Sequence, residues 1–303
     1  MKFMSFFKEV KKQTGDTSNH VKDFSVFDFN YIPDEPLMRE EGKHLIKEML
    51  RFEMSGIPTH QAVIGSKGSG KTLTLKYLQN LMNAETGLNV VYANCREHNT
   101  SFKIFAHLLD VQARGASLSE LYERFCTKYQ GKTIVLLDEI DLMSAKDKRK
   151  DILYFLSRSE NPYLVIMMSN NHHVLKEIDA ATKSSLQPTT VYFKNYDAQH
   201  IQEILYQRAK QGLYKWDKGK LAQIAAMTAR KTNSDTRVAI KTLFHNVTEP
   251  KADIETCFEN ARKDIIVDMI NDLSDSTLMI LQAVTVSRSD FARDIYKQYC
   301  HVS

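Results

Sequence analysis

Gly65-Ser66-Lys67-Gly68-Ser69-Gly70-Lys71-Thr72 matches the spacing G-x-x-x-x-G-K-[ST], the Walker A pattern. Each position has a physical reason. The glycines let successive backbone N–H groups converge on phosphate oxygens with no Cβ in the way. A helix that starts there turns its positive end toward the same anion. Lys71 can reach the β and γ phosphates, and Thr72 can offer a hydroxyl to Mg²⁺. The spacing therefore predicts a site for ATP or ADP with Mg²⁺, with Gly65, Ser66, Lys67, Gly68, Ser69, Gly70, Lys71 and Thr72 around the phosphates. A chance glycine-rich turn would lack the right flanks. Here "QAVIGS" reads as a buried strand, and Leu75, Leu78 and Met82 follow at helical spacing.

A phosphate loop needs acids to hold its metal and activate water. "KTIVLLDEID" supplies them: an apolar run from Ile134 to Leu137, then Asp138-Glu139. Asp138 can hold Mg²⁺ through water, and Glu139 can polarise the water that attacks the γ-phosphate. A third apolar run, "YLVIMMSN", ends in Ser169-Asn170. A polar residue at the tip of such a strand can orient the attacking water, although a turn asparagine is the plainer alternative.

Strands and helices must alternate to bring these tips together. "NVVYANC" and "TTVYF" read as two further strands. "SFKIFAHLLDVQ", "SLSELYERFCTKY" and "KDKRKDILYFLSRSE" read as helices between strands, with Ser117 and Glu120 spaced as a capping box. Such alternation predicts an α/β fold with a parallel sheet covered on both faces. From about residue 196 the patterns are helical only.

The bulk numbers agree with a globular protein. The chain has 303 residues, 43% hydrophobic and 26% charged, which suggests more than one domain. No apolar run is long enough to cross a membrane, and "MKFMSFFKEVKK" lacks the features of a signal peptide. Cys95, Cys126, Cys257 and Cys300 form no CxxC pair, so a reducing cytoplasm is expected. The net charge of +4 permits a nucleic-acid partner without requiring one.

With these motifs the chain resembles the AAA+ ATPases of the replication-initiator clade, specifically the archaeal origin-recognition and helicase-loading proteins, from about residue 24 onward. "NYIPDEPLMREEGKHL" is similar to the family's entry motif, "LLDEIDLM" to its acidic strand end, "SNN" to sensor 1 and "NSDTRVAIKTL" to its lid motif. The resemblance implies that Ile32 and Pro33 flank the adenine, that Arg39 packs near the nucleotide, that Asn170 is sensor 1, and that Arg237 reaches the γ-phosphate as sensor 2. It also implies an N-terminal arm over residues 1–23 and an AAA+ base with a five-stranded parallel sheet over 24–195. A helical lid over 196–272 and an incomplete winged helix over 273–303 would follow. The sequence departs from the family in two places. Ala181, followed by Thr182 and Lys183, stands where an arginine usually reaches a neighbour's site, and Ser234 stands where the lid motif usually has glycine. A monomer or weak oligomer follows from the first, because a lysine is a poor replacement for a planar guanidinium.

The resemblance further implies double-stranded DNA as a partner, with a replicative helicase or other initiator subunits beside it and no membrane. The segment after the second strand includes the family's initiator-specific insertion. Lys103 and Arg114 are its candidate phosphate contacts. A second basic run, Lys146, Lys148, Arg149 and Lys150, reads most simply as a solvated helix start. The leading expectation is a slow, ATP-switched replication initiator. Two alternatives stay open: a clamp-loader-like or transposition-type AAA+ motor, and a nucleotide-binding regulatory interaction protein.

Overall fold

The computed structural model describes residues 20–302, apart from residues 113, 148, 272 and 288–290. Residues 1–19 of the expected arm and Lys148 of the second basic run therefore lie outside the described residues. The described chain divides into two compact units, which meet between Thr236 and Arg237 in sequence.

In the first unit, apolar runs alternate between two faces of one sheet. The strands are β1 (Gln61–Gly65), β2 (Asn89–Asn94), β3 (Thr133–Asp138), β4 (Tyr163–Ser169) and β5 (Thr189–Phe193). Their order is β2-β3-β4-β1-β5, and every described pairing is parallel. The crossovers put helices on both faces, so β1, β3 and β4 are buried along their whole length. Side chains alternate with period two. Val135, Leu137, Val165 and Met167 pack on one face with Phe105, Phe125 and Leu153. Ile134, Leu136, Ile166 and Met168 pack on the other with Leu45, Met49, Leu75 and Leu78.

The first face is covered by α3 (Ser101–Leu109), α4 (Leu118–Lys128) and α5 (Asp151–Ser157), and the second by α1 (Glu40–Ser55) and α2 (Lys71–Glu85). Ser117 caps α4 by accepting the Glu120 N–H at 3.1 Å, but the Glu120 carboxylate takes Arg124 at 2.5 Å instead of closing the box. The helix expected from Lys146 starts at Asp151. Asp147 accepts the N–H groups of Ser101 and Asp151, and Lys150 adopts a left-handed φ of 49°, so the helix cannot begin before Asp151. Short helices α6 (Val174–Glu177) and α7 (Ala180–Leu186) precede β5, and α8 (Ala198–Gly212) and α9 (Lys218–Lys231) follow it.

Buried Arg208 on α8 fastens the entry segment. Its guanidinium donates to the carbonyls of Val26, Asp28 and Tyr31, and burial pushes its pKa down to about 10. Tyr31 adds a 2.7 Å bond to Gln211, so residues 26–31 are held along α8. Pro33 is buried and Ile32 half-buried just beyond this anchor.

The second unit is helical: α10 (Thr236–Thr248) from its second residue on, α11 (Ile254–Asn271), α12 (Asp275–Ser287) and α13 (Ala292–Val302). Lys241 and His245 on α10 share Asp264 on α11, at 3.5 and 2.9 Å. On α12, Ile280, Leu281, Val284 and Val286 are exposed. The helices α12 and α13 lie within the segment expected to open a winged helix.

Candidate nucleotide site

The glycines of the phosphate loop answer to both backbone and space. Gly68 and Gly70 have φ of 76° and 84°, where a Cβ is costly. A Cβ on Gly65 would lie 2.6 Å from the Phe193 carbonyl oxygen, on Gly68 against Asp235, and on Gly70 against the Tyr196 hydroxyl. The loop is thus packed tightly from outside. Helix α2 begins at Lys71 with no side-chain cap, so its first N–H groups remain donors for an anion.

Three strand tips converge beside that helix. The buried Lys71 ammonium donates to the carbonyls of Gly65 and Ser66 and to Asn170 Oδ1, each at 2.9 Å. Thr72 Oγ1 donates to Asp138 Oδ2 at 2.8 Å. Asp138 is 2% exposed, and its Oδ1 accepts the Glu139 N–H at 2.8 Å. The sheet therefore brings Lys71, Thr72, Asp138 and Asn170 into one cluster, as their strand-end positions predict. The donor set suits a Mg²⁺-nucleotide: a cation and open helix N–H groups for phosphate, with a hydroxyl and a carboxylate oxygen side by side for a divalent ion.

Glu139 follows in a left-handed conformation, φ 52°, which an ordinary L-residue adopts at a cost. Burial, then the Asp138 charge, hold its carboxyl above the usual range, while Arg96 and Asn94 pull the other way. A raised carboxyl is the ordinary condition of a general base working near neutral pH.

Arg39, expected to pack near the nucleotide, is bonded to the phosphate loop. Its two terminal nitrogens donate to the carbonyls of Ser69 and Lys194, each at 2.7 Å, and its guanidinium lies 4.1 Å over the Tyr196 ring. It grips the back of the loop. The turn before α10 grips it again. Thr236 Oγ1 donates to the Gly68 carbonyl at 2.8 Å, and Ser66 bonds Asn195, whose amide donates to Asn233 at 3.0 Å. Asn233 and Ser234 in that turn both have left-handed φ, 53° and 64°, so Ser234 takes the backbone shape that the usual glycine would adopt freely. Exposed Lys67 stands on the loop itself.

Other expected residues stand on other elements or in the other unit. Arg237 is the second residue of α10 and opens the second unit. Ala181 and Lys183 are exposed on α7. Lys103 is exposed in the first turn of α3, 3.2 Å from Asn99, and Arg114 is exposed before α4. Lys150 cannot belong to a solvated basic run. It is 6% exposed, with its ammonium 3.3 Å from the Ile140 carbonyl and 4.0 Å from Glu177.

Sequence reasoning missed Tyr92 and Asn195. The Tyr92 hydroxyl donates to Asp138 Oδ2 at 2.9 Å, and burial and that carboxylate push its pKa up. The available signal was a tyrosine on the otherwise apolar face of "VVYAN", in register with Leu136 and so turned toward α2. Asn195 carries no comparable pattern.

Residues 58–178 match the family model described as an AAA domain. An ORC1-type DNA replication protein of Methanothermobacter thermautotrophicus is 28% identical over 287 residues, covering 89% of this chain and 77% of the relative. An ORC1-type DNA replication protein 3 of Sulfurisphaera tokodaii is 30% identical, covering 74% of this chain and 62% of the relative. Among solved structures, the Aeropyrum pernix ORC1 protein in complex with DNA superposes with a TM-score of 0.72 at 22% identity, covering 94% of this chain and 82% of that one. The Aeropyrum pernix ORC2 protein, in ADPNP–ADP complexes, gives 0.68 at 21% identity, covering 92% and 83%. These structures share the fold, and the domain match and relatives agree with it: the chain carries an AAA domain over residues 58–178 and is similar to the archaeal ORC1-type DNA replication proteins.

Proposed function

We propose that this chain is a DNA-replication initiator that binds ATP, hydrolyses it slowly, and uses the nucleotide state to switch its hold on duplex DNA or on partner proteins. The observation that carries the reading is the cluster of Lys71, Thr72, Asp138 and Asn170 at the strand tips, in a chain similar to ORC1-type replication proteins. Lys71 and the loop N–H groups hold the β and γ phosphates. Bound Mg²⁺ would supply positive charge to those phosphates, with Thr72 and Asp138 as its protein partners. Glu139 takes the proton of the attacking water, and Asn170 orients that water. Ile32 and Pro33 flank the base, and Arg39 packs near the nucleotide, bonded to the Ser69 carbonyl of the loop. Arg237 is the sensor of the γ-phosphate.

On this reading residues 24–195 are the nucleotide-binding base, 196–272 the lid and 273–303 the start of a winged helix. Lys103 and Arg114 contact DNA phosphates, which gives affinity with little sequence choice. Helicase or other initiator subunits are the protein partners. The test is the affinity of the chain for duplex DNA and for a helicase in its ATP and ADP states. A difference between states of severalfold or more, for either partner, is expected. Equal affinities for both would end the switch reading, and failure to bind nucleotide at all would end the whole proposal.

A further inference from the structure

Asp138 has three donors fixed on it. The Glu139 N–H meets Oδ1, while the Thr72 and Tyr92 hydroxyls both meet Oδ2, at 2.8 and 2.9 Å. A buried carboxylate held from three directions cannot rotate about its last bond without losing a hydrogen bond. The three donors are not equivalent. Thr72 is the residue whose oxygen the metal needs, so its hydroxyl must serve two partners. The Glu139 N–H belongs to the backbone. Tyr92 alone of the two hydroxyl donors comes from outside the phosphate loop and the acidic strand end, on the neighbouring strand β2.

We propose that Tyr92 is a positioning residue for divalent-cation binding: its hydroxyl pins Asp138 Oδ2 beside Thr72, so the carboxylate keeps its aim when a Mg²⁺-nucleotide arrives. A merely structural tyrosine would not need the hydroxyl. Phenylalanine would fill the same place between β2 and α2, and the hydroxyl's bond goes to the acidic strand end rather than to the core. Lys76 on α2 lies 5.3 Å from the ring centroid, so the ring is flanked by the helix that carries Thr72. Hydrogen-bond partners behind a metal ligand typically govern its affinity by about 10–100-fold. Asp138 acting through water puts Tyr92 at the low end.

The inference rests on the proposal that Thr72 and Asp138 serve the metal, and the experiment separates the two. Binding of a fluorescent ADP analogue is measured without turnover, first in EDTA and then across a Mg²⁺ titration, for the full chain and for Tyr92→Phe and Asp138→Asn. Tyr92→Phe should raise the Mg²⁺ concentration for half-maximal effect about tenfold, with metal-free affinity kept within about twofold. Asp138→Asn should remove most of the Mg²⁺ response. If Asp138→Asn loses that response and Tyr92→Phe titrates as the parent does, Tyr92 is not a positioning residue. If Tyr92→Phe weakens metal-free binding as much as metal-bound binding, the hydroxyl supports the fold instead, and the inference also fails. An unchanged Mg²⁺ response in Asp138→Asn would overturn the metal assignment itself and this inference with it.

Discussion

Lys71 and Lys103 both sit in the first turn of a helix that covers the same sheet, on opposite faces. Lys71 is buried and meets carbonyls of its own loop and the tip of a distant strand. Lys103 is exposed and meets Asn99, four residues away. The difference separates two kinds of binding. A cation held by several elements has one position, and a ligand there meets a prepared site. A cation on an open surface contributes field rather than geometry, which salt screens. Changes at the strand tips should therefore act nearly all-or-none, and changes on the insertion should be graded and depend on ionic strength.

The largest effect should come from Glu139→Gln. The amide keeps the shape but cannot take a proton, so ATP should still bind while steady-state hydrolysis falls at least ~100-fold. Hydrolysis near the parent rate would move the base elsewhere. The pH profile supplies the sign. As the proposed base Glu139 would work ionised, and its carboxyl is held above the ordinary range by burial and Asp138. The rate should therefore be full at higher pH and fall as pH drops through that raised value, before an ordinary glutamate would titrate. The rate per molecule should also vary little with protein concentration, because Ala181 offers no group to a neighbour's site.

Next is Lys71→Ala. A ligand that binds only the folded state adds about 2.7 kcal/mol at a hundredfold excess over Kd. Calorimetry should show the melting transition of the parent rise by several degrees with Mg²⁺-ATP and that of the variant stay in place. An equal rise in both would break the prepared-site side of the comparison. A smaller, graded effect is expected for Lys103→Glu with Arg114→Glu. Each phosphate contact contributes about 0.9 to the slope of log affinity against log salt, so the double change should flatten the slope for duplex DNA by about two. An unchanged slope would place the DNA surface off the insertion.

The two regions were also unequally legible. Strand tips announce themselves because glycine spacing, apolar runs and terminal acids are local patterns. Lys71, Thr72, Asp138 and Asn170 could be named together because parallel strands must end at one edge of the sheet. The supports were hidden because they come from far along the chain. Tyr92 reaches Asp138 across a strand pair, and Asn195 links the loop to Asn233. Arg39 could be read as important, but not that it would face the Ser69 carbonyl. Lys150 shows the opposite error: in "KDKRK" it looks solvated, yet the turn capped by Asp147 folds it inward.

The smallest predicted effect tests how tightly the prepared site is held from behind. The turn before α10 carries two successive left-handed residues, Asn233 and Ser234. Asparagine tolerates that region because its side chain can bond locally, whereas serine bears more of the Cβ penalty of about 1–2 kcal/mol. Glycine removes the penalty but gains freedom in the unfolded chain, which offsets part of the gain. Ser234→Gly should therefore stabilise the protein by about 0.5–1 kcal/mol in urea unfolding, and Asn233→Gly by less, because it also gives up the bond from the Asn195 amide. The turn also bonds the loop through Thr236 and Asn195. Because those bonds do not use the Ser234 side chain, nucleotide affinity should stay within about twofold, an energy change of roughly 0.4 kcal/mol. Equal stabilisation from both glycines would mean that backbone strain is shared rather than concentrated at Ser234. A loss of nucleotide affinity in Ser234→Gly would mean that the strained turn is what keeps Thr236 against Gly68, and that the stability given up there maintains the loop's shape.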